Sequence, residues 1–174
     1  MHTANVVMAF ASVLHDRMCD AARDADVDPR ELAALTLVAE HDGCSVEWLR
    51  TRVGLTQSGT VRLVDRLASR DLLRRDRSTG RGVPLRLTPA GAERLAAWQH
   101  ARDAAVDSLL VRLPPEQRGP FVEALATVLI TEPRQRAEAD TTCRTCTWSA
   151  CGRTCPVDLS VPREDGGAGS ADVR

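Results

Sequence analysis

Two short helical segments joined by a glycine-containing turn restrict the possible folds of this chain more than any other feature. The first helix is predicted over residues 46–53, with Ser45 as its N-cap. Gly54-Leu55-Thr56 predicts a tight turn, and Thr56 is placed to cap a second helix over residues 57–69. Two short helices around such a turn form a helix-turn-helix, a motif that leaves one face of its second helix open.

A β-hairpin is predicted immediately after this pair of helices. Residues 72–77 contain an apolar pair followed by charged residues, and residues 78–82 are a cluster of turn formers. Residues 83–88 alternate apolar and polar side chains, which is typical of a strand. The pattern therefore predicts a two-stranded hairpin with an arginine-bearing loop, called a wing where it follows a helix-turn-helix.

Helical periodicity marks the rest of the chain. Helices are predicted at residues 3–27, 28–41, 89–113 and 116–131, with a short, polar, helical spacer at 134–142. Aromatic residues make up only 3% of the chain and tyrosine is absent, so the core must consist of leucine, valine and alanine. That composition favours helices over a β-sandwich. The predicted fold is mostly α with a small β-hairpin wing, a winged helix-turn-helix over residues 28–88.

Positive charge is concentrated in the same region. All 23 basic residues are arginine, and the net charge of the chain is −1. Residues 50–86 hold ten arginines against three acidic residues, whereas residues 1–49 hold three arginines against nine acidic residues. A local positive field of this kind favours binding to phosphate groups.

The helix over residues 57–69 is predicted to enter the major groove of DNA. Val61, Val64, Leu67 and Ala68 form its expected inward face, and a polar face remains for base edges. The candidate contacts of that face are Gln57, Ser58, Thr60, Arg62 and Arg66. At the hairpin tip, Arg77 and Arg81 are candidates for the minor groove, and Asp76 is placed to orient one of these guanidinium groups.

Three stretches in this region resemble the MarR family. The segment Gly54-Leu55-Thr56-Gln57-Ser58-Gly59-Thr60-Val61-Arg62-Leu63-Val64-Asp65-Arg66-Leu67 is similar to its recognition helix. Arg70-Asp71-Leu72-Leu73 with Arg74-Arg75-Asp76-Arg77, and then Leu87-Thr88-Pro89-Ala90-Gly91, are similar to its wing and to the start of the following helix. The resemblance implies a homodimer that binds a near-palindromic operator as a repressor. It also implies dimerisation helices at residues 1–27 and 89–142, and a small phenolic ligand as the signal in many relatives.

Four cysteines lie close together near the C-terminus. Cys143-x2-Cys146-x4-Cys151-x3-Cys155-Pro156 is the pattern within residues 143–158, hereafter the cysteine segment. No secretory signal is evident, so a cytoplasmic protein is expected, and thiolates grouped in a reducing compartment favour a metal site over disulfides. Cys19 and Cys44 stand alone and are expected to be small buried apolar residues.

The identity of the metal follows less directly from the spacing. The ending Cys-x3-Cys-Pro resembles ferredoxin-type iron–sulfur runs and favours a [4Fe–4S] cluster, whereas one Cys-x2-Cys pair leaves Zn²⁺ as the alternative. Arg144 and Arg153 could offset the thiolate charge. Trp148 is expected either to shield the metal from water or to anchor the segment to the body of the protein.

These observations predict a regulator whose operator affinity depends on a redox-, oxygen- or nitric-oxide-sensitive cluster. Two alternatives stay open: a regulator with structural zinc and an organic ligand as its signal, and an iron–sulfur electron-transfer module. An enzyme is not expected, because no nucleophile–base pair and no phosphate-binding glycine loop is present. No membrane helix is expected, and residues 159–174 are expected to be disordered.

Overall fold

The computed structural model describes residues 2–76 and 83–162 and shows a mostly helical chain with one two-stranded hairpin. This confirms the predicted fold class. The elements in chain order are α1 (Thr3–Asp24), α2 (Pro29–Glu40), α3 (Val46–Val53), α4 (Gln57–Ser69), β1 (Leu73–Arg75), β2 (Leu85–Leu87), α5 (Pro89–Leu110), α6 (Pro115–Ile130), α7 (Arg136–Thr142), α8 (Trp148–Cys151), a 3-10 turn (Gly152–Thr154) and α9 (Pro156–Leu159).

The predicted helix starts are confirmed by their side-chain caps. Asp28 accepts hydrogen bonds from the amides of the first turn of α2 and completes a capping box. Ser45 accepts from the Trp48 amide at 3.1 Å, and Thr56 accepts from the Gly59 amide at 3.2 Å. Thr88 caps α5 in the same way, ahead of the proline in its first turn. Each cap satisfies amide groups that would otherwise have no partner in the first helical turn.

The turn between α3 and α4 depends on Gly54, which has a φ of 65° and lies in the left-handed region. A residue without a Cβ adopts this conformation without steric cost, so the chain reverses here in a single step. Leu63, Val64 and Leu67 of α4 are then buried in the main core with Leu49 of α3. The prediction that Val61 faces inward was wrong: its side chain is exposed, and Leu63 occupies the core instead.

The hairpin packs closely against the start of α5. β1 and β2 are antiparallel, with Leu73 opposite Leu87 and Arg75 opposite Leu85, and are shorter than the predicted strands. Leu85 also exchanges backbone hydrogen bonds of 3.0 and 2.9 Å with Gly43 and Cys44, which ties the hairpin to the segment before α3. A Cβ at Gly91 would lie 2.0 Å from the Leu72 carbonyl oxygen, so the junction has no space for a side chain.

The helices at the two ends of the chain pack together and leave apolar surface uncovered. α1 packs along α5, and Phe10 contacts Phe121 of α6 edge to face, with ring centroids 5.7 Å apart. α6 has no buried residue. α1 and α5 end earlier than predicted, at Asp24 and Leu110. Large exposed apolar residues on α1 and α6 include Val6, Val7, Met8, Phe10, Val13, Val122, Leu125, Val128 and Ile130.

The C-terminal part of the chain is more ordered than the sequence predicted. The spacer forms helix α7, as predicted, and the cysteine segment folds into α8, the 3-10 turn and α9. Ser160 is buried and its carbonyl accepts a hydrogen bond from the Arg134 amide at 3.1 Å, so a disordered tail does not begin at residue 159. Residues 163–174 of that predicted tail lie outside the described part. Within the described ranges, no helix is both long and apolar enough to cross a membrane.

Candidate functional site

The outer face of α4 is exposed along its length and polar at its start. Gln57, Ser58 and Arg62 are exposed there, as the sequence predicted. Arg62 makes no ion pair within residues 2–76 and 83–162, so its guanidinium is available to an external partner. Gly59 lies beside this face near the Thr56 cap. One glutamine and one arginine therefore lie on the same open helix surface, and each of these side chains can form two hydrogen bonds with the edge of a base.

Thr60 does not belong to that face. Its side chain is fully buried, with 0% exposure, and its hydroxyl donates to the Thr56 carbonyl oxygen at 3.0 Å. The reason is the helical phase: Thr60 precedes Leu63, Val64 and Leu67 on the stripe that packs into the core. The structure therefore removes Thr60 from the predicted set of DNA contacts.

Arg66 is occupied by internal partners. Its Nε donates to Glu31 at 2.8 Å and its Nη2 lies 3.2 Å from Asp28, both at the start of α2. Glu31 is buried and also binds Arg70 at 2.7 Å. A buried carboxylate requires such partners, so Arg66 serves first to hold α2 against α4. About half of its side chain remains exposed, at 51%.

The hairpin shows the predicted role for Asp76 with different partners. Asp76 accepts from Arg74 at 2.7 Å and from the Nε of Arg86 at 2.6 Å, so it orients the arginines of the two strands. Arg86 also pairs with Asp42, which precedes α3. The predicted tip residues Arg77 and Arg81 lie outside the described residues.

Val61 is a candidate contact that the sequence interpretation missed. It is 36% exposed and lies between Ser58 and Arg62 on the open face of α4. Its partial exposure on a polar helix face leaves methyl groups available for contact with another apolar group. Residues three or four positions apart share a helix face. If Leu63 had been assigned to the buried face, the sequence would have placed Ser58, Val61 and Asp65 together on the exposed one.

All six cysteines are free thiols, and the four of the cysteine segment interact with one another. Hydrogen bonding to the Cys146 sulfur raises the pKa of the Cys143 thiol, and nearby Cys155 adds to this effect. The same hydrogen bond, aided by the positive charge of Arg102, lowers the pKa of Cys146 to about 7. Burial and the neighbouring Cys155 and Cys146 raise the pKa of Cys151. The four thiols are therefore close enough to influence one another's pKa.

The grouping is a set of soft sulfur donors rather than a finished coordination sphere. Within the described residues, no three histidine, cysteine or acidic side chains already have the arrangement of a metal site. The chemistry of the donors nevertheless suits zinc or an iron–sulfur cluster, because thiolates are the preferred ligands of both. Arg102 of α5 supplies the neighbouring positive charge, in a role predicted for Arg144 and Arg153.

Cys19 and Cys44 lie apart from this group. Cys44 packs against the main core, and burial raises its pKa to about 11. Such a thiol remains protonated at neutral pH and is a poor nucleophile. This agrees with the prediction for Cys44, whereas Cys19 is only partly buried and lies 3.5 Å from the His15 ring nitrogen.

Together, the pair of helices around Gly54, the hairpin and the open face of α4 define a winged helix-turn-helix protein. The family model of the MarR family matches residues 25–82, which include the helix-turn-helix and β1. No curated protein sequence matches the chain.

Solved structures share the fold at low sequence identity. The RV1404 protein of Mycobacterium tuberculosis superposes with a TM-score of 0.67 and 20% identity, covering 74% of this chain and 90% of that protein. The YusO protein of Bacillus subtilis superposes with a TM-score of 0.67 and 21% sequence identity, covering 74% of this chain and 92% of that protein. The MarR-family protein Rv2887 of M. tuberculosis was solved in complex with DNA. It superposes with a TM-score of 0.61 and 18% sequence identity, covering 74% of this chain and 98% of that protein.

Proposed function

We propose that this chain is a MarR-family transcriptional regulator, acting as a repressor that binds duplex DNA through α4 and the hairpin. The observation that carries the proposal is the open face of α4, where Gln57, Ser58 and Arg62 are exposed above a buried leucine and valine stripe. The match of the MarR family model to residues 25–82 supports it, as does the shared fold with Rv2887, which was solved with DNA.

The side chains of this face suit the edges of base pairs. An α-helix fits the major groove, where arginine forms two hydrogen bonds with guanine and glutamine forms two with adenine. In this arrangement Arg62 and Gln57 supply those bonds, and the exposed methyl groups of Val61 contact a thymine methyl. The amide groups at the start of α4 add an N-terminal dipole that attracts a phosphate.

The proposed active form is a homodimer. α1 and α6 expose many large apolar side chains, including Phe10, Val13 and Leu125, and monomeric proteins rarely leave large apolar surfaces in contact with water. A second copy of the chain that covers this surface would relate the two α4 helices by a two-fold axis. Such a dimer recognises two half-sites about 10 base pairs apart, which makes the operator near-palindromic.

The DNA-binding proposal is tested by selection from a random duplex library, followed by affinity measurements on the enriched sequence. The informative variant is Arg62→Ala, and the matched control is Arg112→Ala, an exposed arginine after α5 that lies on a different element from α4. Fluorescence anisotropy at two salt concentrations gives the dissociation constant and its salt dependence.

Arg62→Ala is expected to lose about 1–3 kcal/mol of binding free energy, which is roughly a 5- to 150-fold loss of affinity for the selected DNA. It should also weaken the base preference at one position of each half-site. Arg112→Ala is expected to bind as the wild type does. Failure to enrich any sequence, or equal loss in both variants, would contradict recognition by α4. In a reporter assay, a repressor lowers expression from a promoter that carries the selected site.

We further propose that Cys143, Cys146, Cys151 and Cys155 hold a [4Fe–4S] cluster whose state sets the operator affinity. The proposal is supported by the four interacting thiols and by the lowered pKa of Cys146, since metal ligands bind as thiolates. A cluster supplies sensitivity to oxidants or nitric oxide. Structural Zn²⁺ on the same thiols is the alternative, in which case the signal would be an organic ligand.

Anaerobic purification with visible absorption and an iron, sulfide and zinc assay separates the two metals. A brown protein with about four iron and four sulfide per chain supports the cluster. About one zinc per chain in a colourless protein supports the structural site. A protein with neither metal, or a Cys146→Ser, Cys151→Ser double variant with unchanged metal content, would refute the assignment of the cysteine segment as a metal site.

A further inference from the structure

The cysteine segment packs directly on the helix-turn-helix. The Trp148 amide donates to the Glu40 carboxylate at the end of α2, at 3.1 Å. The Trp148 ring meets the His41 ring edge to face at 4.8 Å, and His41 in turn lies 4.3 Å from the Trp48 ring of α3. The three rings thus form a continuous series of contacts from the cysteine segment to the first helix of the helix-turn-helix.

A buried ion pair provides a second connection. Asp140, near the end of α7 and three residues before Cys143, has a side chain only 3% exposed. It accepts from the Nε of Arg52 in α3 at 2.8 Å and from the Nε of Arg136 at 3.0 Å. The Arg52 guanidinium also lies 3.9 Å above the Trp48 ring. Because a buried carboxylate is costly without partners, this pair fixes where α7 sits on α3.

The same residues are tied to the cysteines. The Trp148 indole nitrogen donates to the Cys143 carbonyl oxygen at 2.9 Å. On the other side of the segment, Arg102 of α5 donates to the Thr145 carbonyl and to the Thr147 hydroxyl, both at 3.2 Å. The conformation of the loop between Cys143 and Cys151 therefore determines where the Trp148 ring lies.

The cysteine segment has little core of its own. Its separate hydrophobic cluster contains three buried residues, namely Ala139, Cys143 and Val157. So small a core does not hold a short segment folded, and small domains of this kind depend on a metal for stability. When the thiolates lose their metal, we expect the loop to relax and the Trp148 contact to loosen with it.

We infer that Asp140 and Trp148 are positioning residues that couple the metal at the cysteine segment to the orientation of α3 and α4 in the same protomer. The inference rests on the proposed DNA-binding and metal-binding functions. α3 is joined to α4 by the three residues of a tight turn, and both helices share one core, so a shift of α3 is passed to the DNA-contacting face. The signal then travels within one chain, from the cysteine segment through α3 to α4.

The test compares DNA affinity with and without metal in full-length variants. The wild type, Asp140→Asn, Trp148→Phe and the control Arg153→Ala are prepared loaded, and a portion of each is stripped with a chelator. Trp148→Phe keeps an aromatic ring but removes the donor to the Cys143 carbonyl, so it remains informative if Asp140→Asn folds poorly. Arg153 is an exposed residue of the same segment outside both connections. Metal content and circular dichroism are measured for every sample.

The quantity of interest is the ratio of dissociation constants between stripped and loaded protein. We expect a ratio of at least about fivefold in the wild type and in Arg153→Ala, the lower end of typical allosteric coupling. In Asp140→Asn and Trp148→Phe the ratio should fall to within about twofold of one, with metal content unchanged. A purely structural role would lower stability or affinity in both states and leave the ratio as it is.

The outcomes separate the inference from the functions on which it rests. Wild-type protein without metal, or without DNA binding, refutes the proposed function and the inference with it. If the wild type binds metal but its dissociation constants with and without metal are nearly equal, the metal has only a structural role and the coupling is refuted. If the ratio of dissociation constants is large in the wild type and equally large in Asp140→Asn and Trp148→Phe, the proposed function stands. The route through Asp140 and Trp148 is then refuted.

Discussion

Replacing Gly91 by alanine tests the close approach of α5 to the backbone of Leu72. The new Cβ would lie 2.0 Å from the Leu72 carbonyl oxygen and 2.9 Å from its carbonyl carbon, while real Cβ atoms essentially never come closer than 3.0 Å. Strand β1 and helix α5 must therefore separate by about 1 Å at this point. The contact is with backbone, so no flexible side chain can move out of the way.

Overpacking of this kind costs about 1–3 kcal/mol. For a chain of 174 residues, we expect the melting temperature to fall by about 2–12 °C, since each kcal/mol corresponds to about 2–4 °C at this size. Because Leu72 directly precedes β1, the hairpin should also shift relative to α4 and DNA affinity should decrease. Differential scanning fluorimetry and anisotropy measure the two effects.

Gly119→Ala is the matched control, because an added Cβ there meets no atom within 4 Å apart from its chain neighbours and the backbone of its own helix. Gly119 lies inside α6, where alanine is favoured over glycine by roughly 0.5–1 kcal/mol, but Pro120 follows it and disfavours the helical conformation for a residue with a Cβ. The two effects oppose each other, so this variant should melt close to the wild type. If Gly91→Ala melted within about 1 °C of the wild type and bound DNA normally, the described junction between β1 and α5 would be incorrect.

Three further variants test individual assignments. Thr60→Val should leave DNA affinity unchanged and cost less than about 1 kcal/mol of stability, because Thr60 is buried and the Thr56 carbonyl keeps its bond from the Thr60 amide; a several-fold loss of affinity would return Thr60 to the DNA-contacting face. Val13→Asp places a charge on the exposed apolar face of α1 and should yield a monomer in analytical ultracentrifugation, so a dimer that survives it would argue against this face. Burial lowers the pKa of His41, so its ring is neutral in the folded protein at neutral pH. Because the unfolded chain then binds more protons, the free energy of unfolding should fall as the pH decreases from about 7 through the usual histidine pKa near 6.5. Urea denaturation at several pH values measures this decrease, which should be absent in His41→Gln.

The local features of the fold were predictable because short-range chemistry determines them. Thr88-Pro89 marks a helix start whatever lies around it, since the threonine hydroxyl and the fixed φ of proline act within one turn. Gly54 marks the turn between α3 and α4 for a similar reason. These positions placed the helix-turn-helix and the candidate contacts Gln57, Ser58 and Arg62 correctly on an exposed helix.

The phase of α4 was not decided by the sequence alone. Apolar residues at 61, 63, 64 and 67 fit two stripes, one through Val61 and one through Leu63. The structure selects the second, since the Thr60 hydroxyl can be buried when it donates to the carbonyl one turn earlier. Hydrophobicity counts favour the first stripe, because they treat threonine as a surface residue.

The position of the cysteine segment was beyond local reasoning. The contacts of this segment and of the preceding α7 join residues far apart in the chain: the Arg52–Asp140 pair spans 88 positions and the bond from Trp148 to Glu40 spans 108. No periodicity or turn pattern reports such pairings. The sequence grouped the four cysteines by their spacing, but it did not indicate that Trp148 of the same segment lies against the end of α2.

The ion pairs around the helix-turn-helix change how its positive charge acts at long range. Seven of the eight described arginines between residues 50 and 86 are matched by an acidic partner, and Arg62 is the exception within that part of the chain. Paired guanidinium groups attract the backbone of random DNA only weakly, because their fields are largely cancelled. During a genomic search such a protein would spend little time on the very large number of wrong sites. Its occupancy of an operator would then depend on base contacts more than on bulk charge.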